Sequence, residues 1–219
     1  MNNIKELENK KVPKGEVSLV GLGRLGLRTA LNLIQVHRGG PKTIYVIDGQ
    51  RISIDDIIFR MYGGEIGEYK VDFLKRMVGD GFNKEIIPIS HDINSENMEL
   101  VKGDVVCLEI AGGDTLNISS EIIKNARSRE ALTISTMGVF GIGEEEIIVE
   151  NISDLDIDNP IVEFFKNERI TDHLLVGTGK LIRDWEPVTP YTLDKISEIM
   201  TAEILKLLEK KNKATYKNI

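Results

Sequence analysis

Residues 17–26 read Val-Ser-Leu-Val-Gly-Leu-Gly-Arg-Leu-Gly, a short apolar run that ends in three closely spaced glycines. The spacing Gly-x-Gly-x-x-Gly is typical of the turn between a β-strand and a helix that binds nucleotide phosphates. The first glycine permits the tight turn, the second lets a phosphate approach the backbone, and the third allows close packing of helix on strand. We therefore predict a nucleotide-binding corner. Its residues are Gly21, Gly23, Arg24, Leu25 and Gly26.

Strand-like and helical patterns alternate on both sides of this corner. A strand is predicted over 17–20 and a helix over 25–36, with apolar residues at helical spacing. Further strands are predicted at 43–48, 85–90, 104–111 and 131–137, and further helices at 69–78, 115–127 and 193–208. The strand at 104–111 is nearly continuously apolar, as expected when both faces of a parallel sheet are covered.

The C-terminal third breaks this alternation. Residues 138–150 indicate a turn and an antiparallel return strand, and the pattern becomes irregular from Asn151 to His173. The alternation as a whole predicts an α/β fold. We expect a Rossmann-like, doubly wound and mainly parallel sheet with antiparallel strands toward the C-terminus. A polar arm over 1–15 would precede a single domain over 16–219.

Composition excludes several classes of protein. The net charge of −7 argues against a nucleic-acid binder, and no apolar run approaches the roughly 18 residues that a membrane span needs. The N-terminus lacks an apolar signal region, so we expect a cytoplasmic protein with no membrane contact. The three histidines show no metal-ligand spacing, and one cysteine cannot form an internal disulfide or a cysteine-based zinc site. Cys107 lies in a predicted buried strand, where it is expected to pack as a small apolar residue.

An acidic residue follows the second predicted strand. Asp48 lies 22 residues after Gly26, where a carboxylate can accept hydrogen bonds from ribose hydroxyl groups. This arrangement fits both NAD and ATP, so the glycines and Asp48 together predict a nucleotide site without choosing between the two.

The segment after Asp48 carries a more specific similarity. Gly67-Glu68-Tyr69-Lys70, at the start of a predicted helix, resembles a motif of the adenylating domain of the E1-like family, which includes the ThiF, MoeB and HesA proteins. Residues 104–115, 135–150 and 186–208 resemble other parts of that domain. The resemblance runs from about Val17 to Leu208, although it is clear only in short motifs.

The resemblance implies ATP-dependent adenylylation of a substrate carboxylate, with pyrophosphate as the second product. It assigns Lys70 and Arg60 to the phosphates and Asp114 to Mg²⁺, all three in catalytic roles. It also implies nucleotide contacts from Asp48, Gly49 and Arg51, in addition to the glycine corner and Lys70. Each assignment has a plainer alternative. Lys70 and Arg60 could be ordinary solvated residues, and Asp114 could only cap the following helix.

Several features depart from the family pattern. The family's asparagine is absent and Asp56 lies nearest to its position, while Arg60 falls one residue late, so that Arg51 could act instead. Paired Cys-x-x-Cys motifs are absent, so no zinc is expected, and no cysteine occupies the later region where thioester-forming members keep one. Many relatives receive an arginine from a partner subunit's N-terminal arm. Here the arm has only lysines as substitutes, namely Lys5, Lys10 and Lys11.

An acyl-adenylate made without a thioester cysteine would pass to a separate acceptor protein or a small nucleophile. Small family members without zinc or this cysteine include one that acts in biosynthesis of the guanylylpyridinol cofactor of [Fe]-hydrogenase. The resemblance therefore makes guanylylpyridinol the candidate carboxylate substrate, and it implies a homodimer. Two alternatives stay open: an NAD-dependent oxidoreductase, and an E1-like scaffold without catalytic activity.

Overall fold

The computed structural model describes residues 4, 12–80, 83–110, 115–182 and 185–217. Seven strands form one sheet with the order β3-β2-β1-β4-β5-β7-β6. The strands are β1 Glu16–Val20, β2 Thr43–Ile47, β3 Glu85–Ile89, β4 Val105–Leu108, β5 Leu132–Thr136, β6 Ile148–Asn151 and β7 Leu174–Gly177. The helices in the described ranges are α1 Arg24–Gln35, α2 Ile57–Met61, α3 Lys70–Val78, α4 Thr115–Ser128, α5 Pro160–Asn167 and α6 Pro190–Lys217.

The predicted fold class is confirmed. In the described ranges six strands run parallel, and β6 pairs with β7 in the antiparallel sense at the C-terminal edge. Strand order reverses direction between β1 and β4, because β2 and β3 lie on one side of β1 and the later strands lie on the other. Ligands of open α/β sheets bind outside the carboxyl ends of the strands at such a reversal.

Two apolar layers cover the sheet. On one face α1, α3 and α6 pack on β1 and its neighbours, and on the other face α4 and α5 pack on β4, β5 and β7. The long α6 lies along α1, where Asn32 donates to the Ser197 hydroxyl and Arg28 pairs with Asp194. These contacts fix α1, the helix that begins at the glycine corner. Among the described residues, no helix is both long and apolar enough to cross a bilayer.

The prediction of an irregular segment from Asn151 to His173 is wrong in part. It contains α5, whose start is set by Asn159, because the side chain of Asn159 accepts hydrogen bonds from the N–H groups of Ile161 and Val162. Pro160 follows at the first helical position, where a missing N–H costs nothing. Directly after this segment, β7 is a strand that the sequence pattern did not predict, since four residues carry little periodicity.

The predicted return strand also needs correction in its position. Residues 138–147 form an irregular loop, and only Ile148–Asn151 pair in the sheet. β6 lies at the sheet edge beside β7 rather than beside β5, because β7 is inserted between them and runs parallel to β5.

Candidate functional site

The glycine corner has the geometry that its spacing predicts. Gly21 has a φ of +101°, and a Cβ there would lie 2.7 Å from the carbonyl group of Glu109. A Cβ at Gly26 would lie 2.1 Å from the Gly21 carbonyl oxygen, so a side chain at either position is excluded by backbone. A Cβ at Gly23 would meet nothing within 4 Å. Gly21 and Gly26 therefore serve the fold, while Gly23 keeps open space for a ligand.

The start of α1 has the features of a helix N-terminus that can bind an anion. Its N-cap is Gly23, which has no side chain to accept hydrogen bonds from the first turn, and that turn contains no acidic residue. The first N–H groups of a helix carry partial positive charge and bind phosphate groups. Gly23, Arg24 and Leu25 all line the adjoining cavity.

This cavity has a volume of about 390 Å³ and lies at the carboxyl ends of β1, β2, β3, β4 and β5. The size falls within the roughly 300–1,000 Å³ of small-molecule sites. Its polar lining includes Arg24, Asp48, Gln50, His91, Asp92, Glu109, Thr115 and Thr136. Its apolar wall is formed by Val139, Phe140, Val188 and Leu193, together with Ile47, Ile93 and Ile110.

Asp48 lies at the end of β2 as predicted and holds two loops together. Its Oδ2 accepts from the Leu22 N–H at 2.6 Å, and its Oδ1 accepts from the Gln50 N–H at 2.7 Å. Burial raises the pKa of Asp48, whereas these two hydrogen bonds and the charge of Lys70 oppose the rise. Each carboxylate oxygen keeps a further lone pair, so Asp48 can still accept a ribose hydroxyl from the cavity.

Gly49 is required at the next position by close backbone packing. A Cβ there would lie 2.7 Å from the backbone nitrogen and the carboxyl group of Asp92. The Gly49 N–H also donates to Asp92 Oδ1 at 3.3 Å, which joins the loop after β2 to the loop after β3.

Lys70 is buried at the start of α3 and already has partners. Its Nζ lies 2.8 Å from Gln50 Oε1 and 3.2 Å from Asp56 Oδ1. Burial acts to raise the pKa of Asp56, but the hydrogen bonds from Ser53 and Lys70 outweigh it and lower that pKa. Lys70 does not line the cavity directly, whereas its partner Gln50 does. Asp56, which lies nearest to the position of the family's asparagine, thus contacts the predicted phosphate-binding lysine.

Of the three arginines predicted to contact the nucleotide, one lines the cavity and two do not. Arg24 lines it, and its guanidinium also reaches the Asp55 carbonyl at 3.4 Å. Arg51 stacks on the Tyr69 ring, 3.6 Å from the centroid, and donates to the Gly67 carbonyl at 2.6 Å. Arg60 is exposed and donates to the Ile54 carbonyl at 3.0 Å. Neither Arg51 nor Arg60 lines the cavity in this structure.

Glu109, which was not predicted from the sequence as a site residue, lies directly beneath the glycine corner. Its side chain is buried next to Thr29 and Cys107, and burial raises the pKa of Glu109 to about 7. The signal in the sequence is its position, since it is an acid at the carboxyl end of a buried strand. Gln50, His91 and Asp92 were also missed, and they too follow strand ends. Cys107 is fully buried, as predicted.

The loop after β5 forms the far wall and is held rigidly. Glu145 accepts from the N–H groups of Ile142 and Gly143 and pairs with Lys180, and these hydrogen bonds lower the pKa of Glu145 to about 2. The Thr192 hydroxyl donates to the Gly141 carbonyl at 2.9 Å, which ties the loop to α6. Phe140 is thereby fixed at the cavity.

Some predicted residues lie outside the described ranges. They are Asp114 and the three lysines of the N-terminal arm, Lys5, Lys10 and Lys11. Within the described ranges, no group of three His, Cys, Asp or Glu side chains could hold a metal ion.

Comparisons with known proteins identify close relatives. No family model matches the chain. It is 45% identical over 206 residues to an uncharacterised protein of Methanocaldococcus jannaschii. The aligned region covers 94% of this chain and 82% of that protein. It is 62% identical to HcgE from Methanothermobacter marburgensis, whose structure contains guanylylpyridinol and ATP. That match has a TM-score of 0.89 and covers 92% of this chain and 98% of HcgE.

A more distant comparison concerns the fold alone. Escherichia coli tRNA N6-threonylcarbamoyladenosine dehydratase, TcdA, was solved in complex with ATP and matches with a TM-score of 0.76 at 16% identity. The match covers 96% of this chain and 91% of TcdA. The fold is therefore the E1-like variant of the doubly wound sheet.

Proposed function

Because the chain belongs to the HcgE family of E1-like proteins, we propose that it uses ATP to adenylylate the carboxyl group of a small molecule. The observation that carries this proposal is the pairing of ligands in HcgE, which binds guanylylpyridinol and ATP together. In this chain the glycine corner and the α1 N-terminus border a cavity of about 390 Å³. Guanylylpyridinol is the candidate substrate, and the role is one in cofactor biosynthesis.

The proposed reaction forms one bond and breaks another at the α-phosphorus of ATP. A carboxylate oxygen of the substrate attacks this atom, and the bond to the bridging oxygen of the β-phosphate breaks. Pyrophosphate leaves with the electron pair, and the acyl-adenylate remains. A carboxyl group is already ionised at neutral pH, so the attack needs no general base. The enzyme acts by positioning the two reactants and stabilising charge on the phosphates.

Each cavity element has a proposed role in this reaction. The N–H groups after Gly23 hold phosphate oxygens, with Arg24 beside them, and Asp48 accepts the ribose hydroxyls. Lys70 supplies positive charge to the phosphates when its Nζ exchanges the Asp56 carboxylate for a phosphate oxygen. Arg60 or Arg51 provides a further cation after a change in side-chain conformation. These assignments rest on the family resemblance and on the position of each residue around the cavity.

We propose that Asp114 binds Mg²⁺ together with the phosphates of ATP. Mg²⁺ is commonly bound by one or two carboxylates together with substrate phosphates, so a dedicated cluster of protein ligands is not required. The described residues contain no such cluster, and the reaction written above depends on no step at the metal. Bound magnesium would neutralise charge on the phosphates.

The apolar wall suits the ring system of the candidate substrate. Val139, Phe140, Val188 and Leu193 face the cavity opposite the polar strand ends. A planar aromatic ring can pack on such a wall while its carboxyl group points to the nucleotide. We propose that the acyl-adenylate then passes to a separate acceptor, because Cys107 is fully buried and carries no thioester chemistry.

We further propose that the protein is a cytoplasmic homodimer whose residues 16–219 form one adenylation domain. The segment between β2 and α3 exposes a group of large apolar side chains, namely Ile54, Ile57, Met61, Tyr62 and Ile66. A patch of this kind is typical of a protein–protein interface. Sedimentation velocity of the wild type and of Met61→Glu tests the dimer. We expect the variant to sediment as a monomer, and a monomeric wild type would refute the proposal.

Pyrophosphate exchange tests the reaction itself. We expect exchange between labelled pyrophosphate and ATP that depends on guanylylpyridinol and is absent with an analogue whose carboxyl group is an amide. ATP binding without exchange for any carboxylate would favour the inactive scaffold. Binding of NAD but not ATP, measured by calorimetry, would favour the oxidoreductase and refute adenylylation.

A further inference from the structure

Glu109 is a buried acid for which the proposed reaction has no role. It directly follows β4, where its N–H donates to the Val20 carbonyl at 2.8 Å, and it is 7% exposed. It lines the nucleotide cavity together with Gly21 and Gly23. Burying an ionised carboxylate without a cation is costly, so the protonation state of Glu109 requires an explanation.

The hydrogen bonds of Glu109 distinguish its two oxygens. Oε1 accepts from the Thr29 hydroxyl at 2.8 Å and lies 3.8 Å from the Cys107 sulfur. Oε2 is buried and has no hydrogen-bond partner among the described residues. A neutral carboxyl group uses one oxygen as acceptor and carries its proton on the other. Leaving Oε2 without a partner costs less when the carboxyl group is neutral than when it is ionised, so the arrangement favours the neutral acid.

The unpartnered oxygen lies against the corner that would hold the phosphates. A Cβ at Gly26 would be 3.3 Å from Glu109 Oε2, and a Cβ at Gly21 would touch the Glu109 backbone. The carboxyl group therefore lies beside Gly26, in the first turn of α1. A negative charge here would oppose phosphates at that N-terminus, and low polarisability of the surroundings strengthens the repulsion.

The other charged groups around the cavity do not neutralise Glu109. Arg24 from α1 lines the cavity along with Asp48 after β2 and with His91 and Asp92 after β3. Among the described residues, none of these four side chains makes a hydrogen bond or ion pair with Glu109. The Cys107 thiol that faces Glu109 stays neutral, because burial raises its pKa. Among the residues that the structure describes, no cation compensates Glu109, so its charge is removed by protonation.

We propose that Glu109 is a positioning residue for the nucleotide, acting through the glycine corner, and that ATP binds to the form in which its carboxyl group is neutral. The proposal rests on the proposed function, since it assumes that ATP phosphates occupy the corner. In the free protein, burial raises the pKa of Glu109 to about 7, so charged and neutral forms coexist near neutral pH. ATP binding would then be coupled to the uptake of one proton.

Calorimetry of the wild-type protein tests this coupling. ATP is titrated at pH 8 in two buffers with different ionisation enthalpies, and the difference in heat gives the number of protons taken up. With a free pKa of about 7, we expect uptake of roughly 0.9 proton at pH 8, and a Kd that rises about fivefold from pH 7 to pH 8 and approaches tenfold per pH unit above pH 8. ATP binding without proton uptake would overturn the proposal and leave the proposed function intact. Failure of the wild type to bind ATP would overturn both.

Two matched variants identify the group. Glu109→Gln keeps an acceptor for the Thr29 hydroxyl and carries no charge, so its Kd should stay flat from pH 7 to pH 8.5 with no proton uptake. At pH 8 it should bind ATP about tenfold more tightly than the wild type. Glu99→Gln removes an exposed acid and should behave as the wild type. The same pH slope in Glu109→Gln and the wild type would refute the assignment to Glu109. A Glu109→Gln chain that does not fold leaves the decision to the wild-type titration.

Discussion

Lys70 and Asp56 form an ion pair with Nζ 3.2 Å from Oδ1, and only 5% and 16% of their side chains are exposed. The pair joins the first residue of α3 to the residue before α2, so it fixes the loop that follows Asp48. Gln50 extends it toward the cavity, because Gln50 accepts from Lys70 and its N–H donates to Asp48. A phosphate that recruits Lys70 must therefore compete with Asp56.

Replacing Lys70 with methionine should abolish most of the adenylylation while the chain still folds. Methionine keeps the buried aliphatic stem and removes the charge. The variant should therefore lose the stabilisation of negative charge on the phosphates, and kcat should fall by about 100-fold or more. The measurement is pyrophosphate exchange, with circular dichroism as the check on folding. Lys75→Met removes a partly exposed lysine of the same helix that pairs with Asp80 and serves as the control. Unchanged turnover in Lys70→Met would refute the role of Lys70.

The glycines of the corner should separate into two classes on substitution by alanine. Gly26→Ala brings a Cβ to 2.1 Å from the Gly21 oxygen, so we expect about 3 kcal/mol or more of lost stability. Gly23→Ala meets no atom within 4 Å, so stability should change by no more than about 1 kcal/mol. ATP affinity should nevertheless fall at least tenfold, because the new methyl group occupies ligand space. Urea unfolding and calorimetry measure the two quantities. A Gly23→Ala chain that binds ATP normally would contradict the assignment.

Lys84 should stabilise the fold by closing the C-terminal end of α1. Its buried Nζ donates to the carbonyls of Leu33, Ile34 and Val36 at 2.8, 3.2 and 2.6 Å. These carbonyls have no partner within the helix, so Lys84→Met should cost about 1–3 kcal/mol of unfolding free energy. The exposed Lys42→Met is the matched control for urea unfolding. Equal stability of both variants would show that water replaces the ammonium group.

His173 should make the protein sensitive to acid. It is fully buried between the hydroxyls of Ser135 and Thr133, and burial lowers its pKa to about 3. Between about pH 6.5 and pH 3 the unfolded chain binds a proton that the native chain does not, so stability is lost as pH falls through this window. This one group can contribute a slope of up to about 1.4 kcal/mol per pH unit. Urea unfolding at pH 7 and pH 5 for the wild type and His173→Gln measures it. Equal pH dependence in the two chains would assign the effect to other groups.

The sequence predicted those parts of the site that depend on local geometry. The three glycines of the corner are required by backbone contacts over a few residues, and Asp48 and Lys70 occupy a strand end and a helix start. Each of these signals lies within a short stretch of chain: spacing indicates the glycines and Asp48, and the resemblance of residues 67–70 to a family motif indicates Lys70. The structure gives the positions of these residues, and the predicted roles of Asp48, Lys70, Arg51, Arg60 and Asp114 stay predictions.

The parts that were missed depend on contacts between distant segments. The pairing of Lys70 with Asp56 depends on how the starts of two helices pack together. The short β7 can be recognised as a strand only from its pairing with β5 and β6 in the folded sheet. Lys84 could not be assigned either, because its three acceptors lie about 50 residues away along the chain. Glu109 did have a signal, its place after β4, but its unpartnered oxygen is a property of the packed interior.

The order of the last two strands has a consequence for synthesis. A ribosome delivers β6 before β7, yet β6 lies at the edge and β7 separates it from β5. Residues 148–151 therefore lack the strand with which they pair in the folded protein until residues 174–177 have left the exit tunnel. The residue after β7, Thr178, then bonds Gly138 through its N–H at 2.9 Å, which fixes the start of the loop that carries Phe140. The cavity wall that carries Phe140 is thus among the last parts of the nascent chain to mature.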